Sequence, residues 1–251
     1  MKMSASFIGT ALLAIGTSGA TEPARSWQLD SPSSEGLLVH GEVSAAKGVA
    51  GSCAVLGGHS FLEVRDSAVL ASCEPGFSLT VWVNPYALHG DQQIIAAKNR
   101  YALDERQWSV MLEPDGRFRL YVWQGGWETV TCEIVAKPGQ WHLVGVTLRP
   151  KEAELWINGE RAGQVALAKP VVNTAAPLTF GGVNNNSRPF QTFLGALDQA
   201  RLFSAPLPAD EMAKLYHPVT ATHDVPEPPP RFPLWSGAGS VPKAMDAPVL
   251  P

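Results

Sequence analysis

Charge of one sign, cysteine and long apolar runs are all scarce in this chain. Lys and Arg total 19 against 23 Asp and Glu, a formal balance of −4. A mildly acidic, Lys-poor surface excludes the electrostatic footprint of a nucleic-acid or anionic-membrane binder. Beyond the N-terminus no apolar stretch approaches the roughly 20 residues of a membrane-spanning helix. Three cysteines, with no Cys-x-x-Cys pair and no zinc-type Cys/His spacing, exclude the usual zinc modules. The six histidines form no His-Glu-x-x-His or His-x-x-Glu-His motif, and neither a Gly-x-Ser-x-Gly elbow nor a phosphate-cradling Gly loop occurs.

What is present begins with Lys2, an apolar core at Phe7–Ile15 and the small residues Ser18-Gly19-Ala20. This reads as a secretory signal peptide over residues 1–20, against the alternative of an unstructured or locally packed N-terminus. Its removal leaves 18 basic and 23 acidic residues. In an exported chain Cys53 and Cys73 are candidates for a disulfide worth about 3 kcal/mol. Buried unpaired thiols fit the composition equally well.

Residues 21–217 read as many short strands with turn signals between them. Phe77–Val83 alternates with Phe77, Leu79, Val81 and Val83 on one face, and Pro85 closes it. Pro114-Asp115-Gly116 and Asn158-Gly159 are strong turn signals between apolar runs. Gly57-Gly58 reads as a hairpin between Cys53–Leu56 and Phe61–Arg65, and Gly125-Gly126 and Gly181-Gly182 as turns or bulges. About a dozen strands and one short helix near Pro208–Tyr216 predict an all-β antiparallel two-sheet sandwich. Residues 218–251 are rich in proline and read as a tail or linker.

The segments FSLTVWVNP (Phe77–Pro85), DGRFRLYV (Asp115–Val122), GQWHLVGVTL (Gly139–Leu148), AELWINGERAG (Ala153–Gly163) and FLGALDQARLFSAPLPADEM (Phe193–Met212) follow one another in order. Together they resemble the laminin-G-like, concanavalin-A-like lectin/glucanase family over about residues 27–216. The resemblance implies a jelly-roll sandwich that holds carbohydrate on a sheet face or rim, with no cofactor expected. Some members bind calcium. Here Leu56-Gly57-Gly58 stands where the family often has Phe-Asp-Gly, leaving Asp30 and Asp198 as the candidate ligands for a structural calcium ion. Asp198 also reads as a structural cap that accepts local backbone N–H groups.

An enzyme of this fold would need two carboxylates flanking the bond. The Glu-x-Asp-x-x-Glu pattern of the related glucanases is absent. Glu152 and Glu154 have the spacing but read as solvated charges beside a turn. No catalytic residue is assigned.

For a ligand site, Arg119, Tyr121 and Trp123 share one strand face, opposite Phe118, Leu120 and Val122, which are assigned to the core. Trp127, Tyr101, Asn185 and Arg188 are added from neighbouring loops. The alternative is that Trp123 belongs to a second packed layer and that the Asn184–Asn186 run only satisfies turns.

The expected function is a secreted or periplasmic, non-catalytic module for a polysaccharide or glycan, accessory to an appended or partner hydrolase. A protein-interaction sandwich is the alternative. A further one is the N-terminal part of a larger esterase, since residues 232–251 (FPLWSG onward) are similar to the opening of secreted α/β-hydrolase esterases.

Overall fold

The computed structural model describes residues 21–66, 76–88 and 90–219. The expected signal peptide (1–20), Cys73, and all but the first two residues of the Pro-rich tail, with its esterase-like segment, lie outside the described residues.

Seventeen strands and a short helix occur among the described residues. In chain order they are β1 (Arg25–Trp27), β2 (Leu37–His40), β3 (Val43–Lys47), β4 (Ser52–Gly57), β5 (Phe61–Val64), β6 (Phe77–Pro85), β7 (Gln93–Arg100), β8 (Glu105–Leu112) and β9 (Arg117–Trp123). There follow β10 (Trp127–Val135), β11 (His142–Arg149), β12 (Glu152–Ile157), β13 (Glu160–Ala166), β14 (Thr179–Phe180), β15 (Val183–Asn185), β16 (Arg188–Phe190), β17 (Leu194–Phe203) and the helix α1 (Ala209–Lys214). Two antiparallel sheets result. One runs β13-β12-β11-β6-β17-β4-β3, with β1 added on β17, and the other β10-β9-β8-β7-β14-β5-β2.

Alternation builds the core between them. Phe77, Leu79, Val81 and Val83 from β6 and Val144, Val146 and Leu148 from β11 meet Trp108, Val110 and Leu112 from β8 and Phe118, Leu120 and Val122 from β9. The two sheets are therefore held by the expected faces. Asn158 (φ 54°) and Gly159 (φ 79°) make the left-handed turn between β12 and β13, and the Asp115-Gly116 turn joins β8 to β9.

Two expectations are corrected. Gly57-Gly58 does not close a hairpin, because β4 pairs with β3 and β17 while β5 pairs with β2 and β14. The pair carries the chain from one sheet to the other. Glu154 is not a solvated charge. It is 3% exposed and held between Arg149 and Arg161, the latter donating at 3.0 Å. A paired buried carboxylate of this kind serves the sheet.

The outer face of the eight-stranded sheet is filled by the C-terminal segment. Met212 and Leu215 pack on Trp156, Phe203 and Leu207, and Tyr216 lies over Trp82 at 5.7 Å between ring centroids. The outer face of the seven-stranded sheet is covered differently. After β14 the chain leaves the sheet at Gly181-Gly182 and folds back as the β15–β16 ribbon, returning where the Phe193 N–H donates to the Gly181 carbonyl at 2.9 Å. Val183 of this ribbon is buried with Ile94, Ala97, Met111 and Tyr121.

Gly181 has φ 79°, and a Cβ there would overlap the Leu56 side chain. Gly181→Ala combines backbone strain with overpacking of the core. It is expected to destabilise the protein by about 2–3 kcal/mol, read as a lowered urea midpoint with an unchanged m-value.

Candidate functional site

The seven-stranded sheet carries a transverse polar and aromatic face outside the core. The register aligns Trp127 with Trp123, Thr129 with Tyr121 and Thr131 with Arg119 across β10 and β9. It then aligns Tyr121 with Ser109 and Arg119 with Met111 across β9 and β8. Because Phe118, Leu120 and Val122 are fully buried, Arg119, Tyr121 and Trp123 must present to the opposite face.

A continuous strip of rings and guanidinium groups crosses this face. Trp123 and Trp127 meet edge to face with centroids 5.1 Å apart, and Trp127 meets Tyr121 at 6.1 Å. The Arg106 guanidinium lies 5.2 Å from the Trp123 ring centre and 5.9 Å from that of Tyr101. Tyr101 meets Phe190 of the ribbon at 5.9 Å. Such contacts fix ring planes while leaving ring surface open. Trp123, Trp127 and Tyr101 are half-buried, and Phe190 is exposed. Burial pushes the Tyr101 phenol up to about 12, so it stays protonated at neutral pH.

Beside the rings lies a polar network. The Tyr121 hydroxyl donates to Glu113 Oε1 at 2.7 Å and accepts from Gln92 Nε2 at 2.6 Å. Gln92 Nε2 also faces both Glu113 oxygens at 3.2 Å, and Gln191 Nε2 donates to Gln92 Oε1 at 2.9 Å. Arg119 donates from Nε to Thr131 Oγ1 at 2.6 Å and from Nη1 to the Tyr121 hydroxyl at 3.3 Å, with Glu113 Oε2 3.9 Å away. Tyr121 is only 4% exposed. Burial first, then the Glu113 hydrogen bond, raises its pKa. The phenol is therefore a support for the Trp127 ring and for Glu113, and not an open stacking surface.

Of the residues singled out from sequence, Trp123, Trp127, Tyr121, Arg119 and Tyr101 thus meet on one face. Asn185 and Arg188 pair across the ribbon. The period of two places them on the side that carries Val183 and Phe190, the side facing the strip. Arg106, Phe190, Glu113 and Gln92 went unassigned. Glu113 follows β8 at the turn to β9, and Arg106 lies two residues from the core residue Trp108, so that only the irregular β7–β8 pairing between them accounts for its place on this face.

Asp30 and Asp198 also come together, at the Gly48–Ser52 loop. Asp198 Oδ2 accepts the Val49 and Ala50 N–H groups at 2.6 and 3.2 Å, and Asp30 Oδ1 accepts the Ser52 N–H at 2.6 Å. Gly51, at φ 69°, gives Asp30 the room to do so. The capping role expected of Asp198 is therefore present, but its donors are remote in sequence and not local. One oxygen of each carboxylate is taken by amide hydrogens, and no group of three or more His, Cys, Asp or Glu side chains suited to a metal occurs among the described residues.

Asp198 is fully buried, its Oδ1 has no partner, and burial lifts its pKa from 3.8 to about 6. Cys53, beside it, is buried with no disulfide partner among the described residues, and burial, then Asp198, raises its thiol to about 11. Its expected partner Cys73 lies outside the described residues. Because the folded pKa of Asp198 exceeds the unfolded one, the group favours folding below about pH 4, and this contribution is lost as pH rises to about 6. Wild type is expected to lose about 2–3 kcal/mol relative to Asp198→Asn between pH 4 and 7. Urea denaturation of both proteins across that range checks this.

The chain belongs to the concanavalin A-like lectin/glucanases superfamily, whose laminin-G-type family matches residues 56–213. No curated protein matches the sequence. Several solved structures share the fold. Domain 4 of AbnA, a GH43 extracellular arabinanase from Geobacillus stearothermophilus in complex with arabinotriose, is 20% identical with a TM-score of 0.60, over 79% of this chain and 100% of that one. The CBM40 of the Ruminococcus gnavus IT-sialidase, bound to α2,3-sialyllactose, is 12% identical with a TM-score of 0.54, over 72% and 98% of the two chains. The binding domain of Paraclostridial Mosquitocidal Protein 1 is 16% identical with a TM-score of 0.62, over 77% of this chain and 51% of that chain. At these identities the likeness is one of fold.

Proposed function

We propose that the chain is a non-catalytic carbohydrate-binding module whose ligand lies along the Trp123–Trp127–Arg106–Tyr101 strip. The observation that carries this reading is the strip itself: half-open rings held in fixed planes, with guanidinium and amide groups alongside. Apolar faces of sugar rings stack on such rings, and hydroxyl groups bond to neighbouring Arg119, Arg106, Asn185 and Arg188. Trp and Arg are the side chains that most often dominate binding energy. Two neighbours of the same fold were solved with oligosaccharides, arabinotriose and sialyllactose, which supports the reading.

Catalysis is not part of the proposal. Retaining glycosidases need two carboxylates about 5–5.5 Å apart across the bond. On this face Glu113 is 7% exposed and engaged by Tyr121, Gln92 and Arg119. That arrangement holds a carboxylate in place for structure.

The proposal extends to cellular role. Residues 1–20 act as an export signal, residues 21–217 form the module, and the Pro-rich segment 218–251 links or tethers it to a hydrolase domain or partner. Among the described residues no helix is long and apolar enough to cross a membrane. The extracellular arabinanase domain supports an exported accessory role.

The test is affinity electrophoresis and calorimetry of the full chain against plant and host polysaccharides. Trp123→Ala and Trp127→Ala are each expected to weaken glycan binding about tenfold or more with an unchanged far-UV spectrum. Retained affinity in both variants, or no glycan bound by the wild type, refutes the reading.

A further inference from the structure

On the far side of the β15–β16 ribbon from the aromatic strip lies a second concavity of about 480 Å³. That volume falls within the usual range for small-molecule sites. Its walls come from four separate parts of the chain: the β2–β5 edge with His40, Glu63 and Arg65, the end of β7 with Arg100, the segment around Ala175 and Pro177, and the ribbon tip with Asn184, Asn186 and Ser187. No tryptophan or tyrosine lines it. Recognition there rests on hydrogen bonds and charge.

Most of the polar side chains there already have partners. His40 Nε2 lies 3.1 Å from Glu63 Oε2, and the imidazole stacks on Phe61 at 4.2 Å, nearly parallel. Arg100 donates from Nε to Glu105 at 2.7 Å and from Nη2 to the Ala175 carbonyl at 3.1 Å. Asn99, on the floor, is spent on backbone, donating to the Trp108 carbonyl and accepting the Gln107 N–H. Arg65 differs. Its side chain is exposed, lines the concavity, and has no carboxylate partner among the described residues.

The ribbon tip adds an independent sign. Asn186 (φ 52°) and Ser187 (φ 62°) both hold left-handed backbone in the two-residue turn between β15 and β16. Asn-Gly is the relaxed choice for such a turn. A serine at the second position stores strain and places its hydroxyl in the lining, and stored strain of this kind clusters at ligand sites.

We propose that this concavity is a second saccharide subsite, selecting a sugar residue that carries a carboxylate. It rests on the reading of the chain as a glycan-binding module. Arg65, which pairs with no carboxylate among the described residues, supplies the fork-shaped donor that matches a carboxylate. Asn184, Asn186 and Ser187 supply amide and hydroxyl groups for the ring hydroxyls. The ribbon is a shared wall, with Asn184 and Asn186 toward this subsite and Phe190 toward Tyr101. One glycan could thus place a neutral ring on the strip and an acidic ring in the concavity.

The experiment is a glycan array in which each uronic- or sialic-acid glycan is paired with its carboxyl-reduced or esterified counterpart, probed with full-length wild type, Arg65→Ala and Trp123→Ala. Wild type is expected to prefer acidic members. Arg65→Ala is expected to lose about tenfold on those alone and to keep its affinity for the neutral counterparts. The acidic preference is expected to shrink in 0.5 M salt, since Arg65 faces solvent. Equal binding of paired glycans by the wild type, or an acidic preference that survives in Arg65→Ala, overturns the subsite while leaving the module reading intact. Absence of binding to every glycan overturns both.

Discussion

A strand buried on one side has no freedom on the other. That constraint, acting on β9, determines where the candidate site lies. Phe118, Leu120 and Val122 are locked between the sheets, so Arg119, Tyr121 and Trp123 are forced outward in a row. A slip of one residue would bury a guanidinium and expose three core side chains. The register that secures the hydrophobic core therefore also aims the proposed binding groups, and loss of one entails loss of the other.

The two outer faces then diverge in use. The eight-stranded sheet is closed off by α1 and residues 215–219, which cover Trp82 and Trp156. Among the described residues the seven-stranded sheet receives the narrow β15–β16 ribbon, seated through Val183. A cover two strands wide leaves sheet surface on both flanks. One flank keeps the rings of Trp123 and Trp127, and the other keeps the His40–Glu63 edge and Arg65. Gly181 sets where that ribbon departs, pressed so closely on Leu56 that no side chain fits. Packing in the core thus shapes the exterior through a single hinge point.

The sandwich was legible because alternation and turn chemistry are local signals. Phe77–Val83, Arg117–Trp123 and the Asn158-Gly159 turn all reappear with their expected faces. The shared face of Arg119, Tyr121 and Trp123 followed from the same period of two. What escaped reading depended on partners distant in sequence. Gly57-Gly58 looks like a hairpin until strand pairing sends its flanks to different sheets. Glu154 looks solvated until Arg161 arrives across β12 and β13. Arg106 carries no local mark: strict alternation would give it the face of Trp108, and the irregularity in the β7–β8 pairing between Trp108 and Arg106 accompanies its place over Trp123. Asp198 and Asp30, read as possible calcium ligands from the resemblance, each accept amide hydrogens of a loop that sequence could not bring to them.

The central claim is that the ligand face is the outer side of the seven-stranded sheet. Indole N–H resonances test it most directly, because the tryptophans sample every layer: Trp27 and Trp108 in the core, Trp82, Trp141 and Trp156 on the eight-stranded side, and Trp123 and Trp127 on the strip. Titrating a bound glycan into the 15N-labelled protein should shift the Trp123 and Trp127 signals and leave the core and opposite-face indoles in place. Shifts confined to Trp82, Trp141 or Trp156 would contradict the account and move the site to the other sheet.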